Sequence, residues 1–372
     1  MVVVEELDDE NAAYGAIQNF IDVCEQMVES ITIIGPESVE IDEEGVETVL
    51  VSRPSSRFPS AIGYLLYQLR LTKTLLQERN QIDLVFYHIG GSLLLAPMLV
   101  CTRSQLRSTV FITGSIEEGF YAQNGRGLVS KLVARCIRCA ESITCTLADE
   151  VILLSESMDS PTIYWPFSTD SRAANFNYID RDVFEKRTPI DDRPVDVVFV
   201  GRFEPIKGVQ NLVYALPQIA ERYPDIQIKL IGSGEQRAEF EQFVEHHGLE
   251  DHVTFTGWID RNDIPKHLND ARTLLLPSVS EGVPKAILEA MACGTVPIAT
   301  PVGGIPDLVV DGETGFVLRN SDPDAIERTV LRALRRDDLD IISDNAHQSI
   351  RDTYSYESVK NTYSDILHDT GQ

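Results

Sequence analysis

Two carboxylates, Glu281 and Glu289, stand with seven residues between them, the first in a polar loop and the second in a largely apolar stretch. Glu289 is surrounded by Ile287, Leu288, Ala290 and Met291. A carboxylate in that setting can accept two hydrogen bonds from a ribose diol. It can equally pair with Lys285, four residues earlier, as a surface ion pair worth about 0.3 kcal/mol and in the less favourable order. A second constellation is cationic. Arg202 follows the apolar run that ends at Gly201, and Lys207 precedes Gly208 and an apolar-periodic segment. Free N–H groups and the dipole at a helix start favour anions. Two cations beside such a start can clamp a diphosphate. The plain alternative is two exposed basic residues. Gly232 and Gly234 form a Gly-x-Gly, which alone is a weak sign of phosphate approach.

These residues need elements to hold them. Leu274–Leu276 is short and apolar, as a buried strand is, and Ser278–Gly282 is a polar loop. Pro284 stands where a helix would begin, and Gly294 where it would stop. Val296–Ala299 is the next strand. The unit is strand–loop–helix–strand, the repeat of a parallel α/β sheet, whose ligands bind outside the carboxyl ends of the strands. The same half holds a strand from Val195, a helix over Val209–Ala220, and strands at Ile226–Ile231 and Val253–Thr256. Before it, strands are expected at Val2–Val4, Ile31–Ile34, Val46–Val51, Leu84–Tyr87, Thr109–Ile112 and Val151–Ser155, the last of that half. Helices are expected at Ala12–Val28, Ala61–Leu76, Ser92–Cys101 and Val129–Glu141. Helices at Ala325–Leu334 and around Tyr363 close the chain.

The 372 residues suffice for two domains. The formal charge is −26, with eight lysines against 24 arginines. That balance suits a cytosolic protein in high salt and argues against a nucleic-acid partner. No apolar stretch reaches the ~20 residues of a membrane span, and the N-terminus lacks the pattern of a signal peptide. Cys136 and Cys139 form a C-x-x-C with no nearby histidine, so helix packing is expected of them rather than zinc. Asp180 and Asp182 form a D-x-D, but two aspartates make no metal site.

From 195 to 320 the motifs, taken together and in order, resemble the retaining glycosyltransferases of family 4, which have the GT-B fold. The carriers are Gly201-Arg202, Lys207-Gly208, Gly232-x-Gly234, the E-x7-E of Glu281 and Glu289, and the EAMACG that begins at Glu289. The resemblance implies two Rossmann-like parallel-sheet domains facing each other across a cleft, about 1–190 and 191–350, with a helix from 351 to 372 crossing back to the first. It implies a nucleotide-sugar donor, no cofactor and no metal. By it, Arg202 and Lys207 hold the diphosphate, Glu281 and the Gly282-Val283 backbone contact the donor sugar, and Glu289 the ribose. Trp258 and Ile259 approach the base; Gly232, Gly234, Gly303, Gly304 and Gly15 lie near the phosphates. Attack is front-side, and the leaving phosphate oxygen takes the acceptor proton. There are departures. The family's Gly-Phe-Gly between the glutamates is Gly282-Val283-Pro284 here, and Pro284 has no N–H. Thr113 stands where many relatives have histidine, and His88 follows a different strand.

Residues 1–47 hold 14 acids and no Lys or Arg, whereas residues 51–138 hold 11 bases and four acids, a net of +7. Basic residues beside apolar ones suit an anionic membrane surface. The expectation is therefore peripheral attachment to the cytoplasmic face and a lipid-linked acceptor. The alternative is that these bases pair with the acids of residues 1–47. A catalytically silent sugar-nucleotide-binding or regulatory protein is the rival function. A nicotinamide-dependent oxidoreductase needs G-x-G-x-x-G after a strand, and neither half has it.

Overall fold

The computed structural model describes residues 2–4, 19–35, 46–51, 60–87, 93–158, 171–351 and 353–369. The chain divides into two compact units. The first comprises Met1–Glu117, Arg126–Asn177 and Val359–Gln372; the second comprises Glu118–Gly125 and Tyr178–Ser358.

The first unit carries seven strands: β1 (Val2–Val4), β2 (Ile31–Gly35), β3 (Val46–Leu50), β4 (Leu84–Tyr87), β5 (Arg107–Ile112), β6 (Glu150–Leu153) and β7 (Ser171–Ala173). They pair in the order β3-β2-β1-β4-β5-β6-β7, all parallel. β7 was not expected: three residues, Ser-Arg-Ala, carry no apolar alternation, and the edge of β6 alone recruits them. The helices are α1 (described over 19–24), α2 (Ser60–Glu78), α3 (Leu95–Ser104) and α5 (Leu128–Leu147), and α4 (Ile116–Asn124) falls to the second unit from Glu118 on. α3 begins three residues later than the sequence pattern suggested, with Pro97 in its first turn, where a missing N–H costs nothing. The core centres on rings: Phe20 sits 5.0 Å from Phe86, and Phe111 5.4 Å from Phe176. Tyr363, from the last helix α12 (Tyr356–Asp369), packs 6.0 Å from Phe20 and is fully buried.

The second unit holds β8 (Val195–Val200), β9 (Ile228–Ile231), β10 (Val253–Gly257), β11 (Ala271–Leu276), β12 (Val296–Ala299) and β13 (Phe316–Val317). Their order is β10-β9-β8-β11-β12-β13, again all parallel. Near-continuous burial of β11 and β12 fits a sheet covered on both faces. The covering helices are α6 (Val209–Arg222), α7 (Arg237–His246), α8 (Ile264–Asn269), α9 (Lys285–Ala292), α10 (Pro323–Leu334) and α11 (Leu339–Arg351). α9 starts one residue after Pro284, which is its N-cap and not its first residue; the Pro284 carbonyl accepts from Ile287 N at 3.1 Å. Gly294 ends the helix at φ 68°.

A buried cation ties the entry segment of this unit to the sheet. Arg193 is only 5% exposed. Its guanidinium donates to Ala271 O at 2.8 Å, Cys293 O at 2.8 Å, Thr188 O at 2.9 Å and Leu268 O at 3.3 Å, and to Thr295 Oγ1 at 3.1 Å. These acceptors lie at the amino ends of β11 and β12 and before β8, opposite the ends from which the functional loops leave. Burial pushes the pKa of Arg193 down to about 10, so it keeps its charge at neutral pH.

Candidate active site

The order of the second sheet reverses between β8 and β11. An open parallel sheet places its ligand outside the carboxyl ends of strands at such a switch point. The two loops that leave there carry Arg202 and Lys207 after β8, and Ser278 to Val283 after β11. Backbone bonds lock the loops together. Val279 N donates to Ile206 O at 2.8 Å, Phe203 N to Ser233 O at 2.8 Å, and Gly304 N to Gly282 O at 2.7 Å. Gly232 N donates to Gly257 O at 2.9 Å, which joins the loop of Trp258 to the group.

This locking explains two glycines directly. Gly232 has φ 137°, and a Cβ there would lie 1.8 Å from Gly201 O. Gly303 has φ 57°, and a Cβ would lie 2.0 Å from Glu281 O. Close approach of loop to loop demands glycine at both, whatever binds above them.

Lys207 and Glu281 meet although 74 positions separate them. Lys207 Nζ donates to Glu281 Oε1 at 2.7 Å and Oε2 at 3.0 Å. Ser278 Oγ donates to Glu281 Oε1 at 2.6 Å, and Thr300 Oγ1 donates to the Ser278 carbonyl. The Glu281 side chain is 7% exposed and that of Lys207 23%. A lysine ammonium has three donors, so the pair leaves one N–H of Lys207 for an anion. Arg202 pairs with Glu204 at 2.8 Å, and both are about one-third exposed.

Glu289 is buried, at 8% exposure. Its carboxylate lies 3.8 Å from Arg261. Burial raises its pKa to about 7, against the pull of the Arg261 and Lys285 charges. A carboxyl that holds its proton more tightly in the folded chain than its ordinary 4.5 allows contributes stability below 4.5 that is lost as pH rises through 7. The urea midpoint of the wild type should therefore fall relative to that of Glu289→Gln between about pH 5 and pH 8. Parallel pH dependence in the two chains would mean that Glu289 is ionised throughout.

The other candidates are placed as follows. Trp258 is 69% exposed and Ile259 half-buried; Val283 is buried. Gly282 and Gly234 stand in the locked loops. Gly15 and His88 lie outside the described residues; in sequence they follow β1 and β4, between which the first sheet reverses. Thr113 follows β5 and is half-buried. Cys136 and Cys139 are exposed on α5, so they do not pack as expected. Asp180 Oδ1 accepts from Asp182 N at 3.0 Å, an Asx turn. Among the described residues no three His, Cys, Asp or Glu side chains converge to hold a metal ion. Ser278, Thr300 and Arg261 are additions that sequence reasoning missed. Ser278 had a signal, a hydroxyl three residues before Glu281 in one loop. Arg261 had none, because its neighbour Glu289 is 28 positions away.

By fold the chain is similar to sucrose-phosphate synthase from Thermosynechococcus elongatus, with a TM-score of 0.78 at 19% identity over 99% of this chain and 98% of that one. It is likewise similar to Anabaena HepE in complex with UDP-glucose, with a TM-score of 0.74 at 17% identity over 99% and 100%. The two all-parallel units are thus those of the GT-B fold. Residues 180–352, almost the whole of the second unit, match the family model of glycosyl transferases group 1. Over 152 residues the chain is 35% identical to the GDP-mannose-dependent alpha-(1-6)-phosphatidylinositol monomannoside mannosyltransferase of Mycolicibacterium smegmatis, covering 39% of this chain and 40% of that one. The chain spans about half the length of the curated relatives that it matches.

Proposed function

We propose that the chain is a retaining, family-4-type glycosyltransferase that moves a sugar from a nucleoside diphosphate to an acceptor hydroxyl. One observation carries this reading: a lysine ion-paired to a buried glutamate, with an arginine in the same loop, at the switch point of a parallel sheet. Arg202 and Lys207 neutralise the charge that grows on the departing diphosphate, commonly the largest catalytic effect. Glu281, held by Ser278 and Lys207, accepts from the donor sugar hydroxyls. Glu289 accepts from the ribose diol. The bond from the anomeric carbon to the phosphate oxygen breaks, and the bond to the acceptor oxygen forms on the same face. The phosphate oxygen takes the acceptor proton, so no protein nucleophile or base is required. Pro284 offers no N–H, which leaves Gly282 and Val283 as the backbone donors of that loop.

The acceptor is lipid-linked, reached by peripheral contact with an anionic membrane at the cytoplasmic face, in a high-salt cell. The net charge of −26, the basic window of residues 51–138 and the phosphatidylinositol monomannoside in the mycobacterial relative's name support this. No described helix is long and apolar enough to cross a membrane.

A screen of UDP-, GDP- and ADP-sugars for thermal stabilisation in high salt tests the donor. A ligand at ~100 times its Kd adds about 2.7 kcal/mol. One class of donor should raise the melting temperature and be slowly hydrolysed. Stabilisation without hydrolysis or transfer would favour the catalytically silent binder.

A further inference from the structure

α5 turns Ala134, Glu141, Thr144 and Cys145 inward. Its outer face is not polar. Leu128, Leu132, Cys136, Cys139 and Ile143 recur at steps of three and four, which makes one stripe along the helix. Leu128 is 88% exposed, Leu132 66% and Ile143 44%. Lys131 and Arg135, also exposed, run along one edge of the stripe. The neighbouring helices extend the surface. α3 packs against both α2 and α5. α2 presents Leu65 and Leu69 at 56% and 53% exposure beside Lys73, and α3 presents Leu99 at 41% beside Arg103.

We propose that this three-helix face of the first unit docks on an anionic lipid surface. It gives the membrane contact of the preceding section its location and rests on that reading for its purpose, but the surface itself stands on the first unit alone. Soluble monomers seldom leave so continuous an apolar face bare. Leucines flanked by Lys and Arg suit the boundary between head groups and acyl chains. A chain with a net charge of −26 is repelled by an anionic surface except where its own charge is reversed, and residues 51–138 are where that happens. A second copy is a poorer occupant. Packing the stripe on itself sets Lys131 and Arg135 against the same cations of the other copy, and like charges facing each other oppose association.

Sedimentation of the full chain with phosphatidylglycerol-containing and pure phosphatidylcholine vesicles, at about 0.1 M and about 1 M salt, tests the proposal. The Debye length falls from ~10 Å to ~3 Å between those conditions, so apolar and charged contributions separate. The wild type should prefer anionic vesicles at low salt and keep weaker binding at high salt. Leu128→Ser/Leu132→Ser should lose roughly tenfold in partitioning per leucine at both salts. Lys131→Glu/Arg135→Glu should lose roughly tenfold or more at low salt and little at high salt. All four positions are exposed, so unchanged melting temperatures and circular dichroism are expected. Wild type that remains in the supernatant with anionic vesicles at both salts overturns the proposal. So does equal low-salt binding to both vesicle types, unchanged binding by the serine variant, or a lipid-independent dimer that Leu132→Ser abolishes. Donor-induced stabilisation is measured without vesicles, so failure here is distinct from failure of the transferase reading.

Discussion

Lys207→Ala should lower turnover by about 10²–10³-fold, the loss that follows removal of one transition-state donor, while the chain still folds. Arg202→Ala should act similarly. The structure separates the two. Arg202 is held by a pair with Glu204 that is about one-third exposed, and such pairs are worth ~1 kcal/mol or less, so its loss is read almost wholly in turnover. Lys207 is also the counter-charge of a buried carboxylate. Its removal leaves Glu281 held by Ser278 alone and disturbs the sugar contact as well as the phosphate. Lys207→Ala and Glu281→Gln should therefore be strongly non-additive in a double-mutant cycle, because each removes part of what the other needs. Single-turnover rates at saturating donor, with melting temperatures as the fold control, give the measurement. Normal turnover in Lys207→Ala and Arg202→Ala would remove the diphosphate clamp from this site.

Arg193→Met should cost about 3–5 kcal/mol of stability, because it strands several buried carbonyls at about 1–3 kcal/mol for each left unmet. Met keeps most of the length of the side chain but donates to none of the four carbonyls that Arg193 satisfies. Buried acceptors left unmet are expensive, whereas hydrogen bonds to a charged donor contribute ~1.5–3 kcal/mol each. For a unit of this size the melting temperature should drop by roughly 10 °C. Arg193→Lys should recover only a fraction, since an ammonium cannot span acceptors set for a planar fork. A loss below ~1 kcal/mol in calorimetry would mean that desolvation of the guanidinium cancels its hydrogen bonds. The substitution lies at the amino ends of the strands, so donor stabilisation of the folded variant should persist.

The amino-acid sequence by itself determines much of the second unit. Leu274–Leu276, Gly294 and Val296–Ala299 specify strand, stop and strand through local apolar runs and one left-handed residue, and the structure has all three. The spacing of Glu281 and Glu289 is local too, and it follows from one loop and one helix. Strand order decided the rest. No segment alone states that β11 lies beside β8, yet that adjacency brings Lys207 to Glu281 and Arg193 to Thr295. Arg261 reaches Glu289 in the same way, and burial rather than sequence neighbourhood makes that carboxylate hold its proton near neutrality. Edge recruitment supplied β7 where no periodicity announced it. On α5, apolar residues occur on both faces, so periodicity cannot say which is turned inward. Contact with the rest of the first unit takes Ala134, Thr144 and Cys145, and Cys136 and Cys139 are left outside with the leucines. Local patterns encode which elements form; which side chains then share a site depends on pairings between distant strands, and only the folded chain makes those.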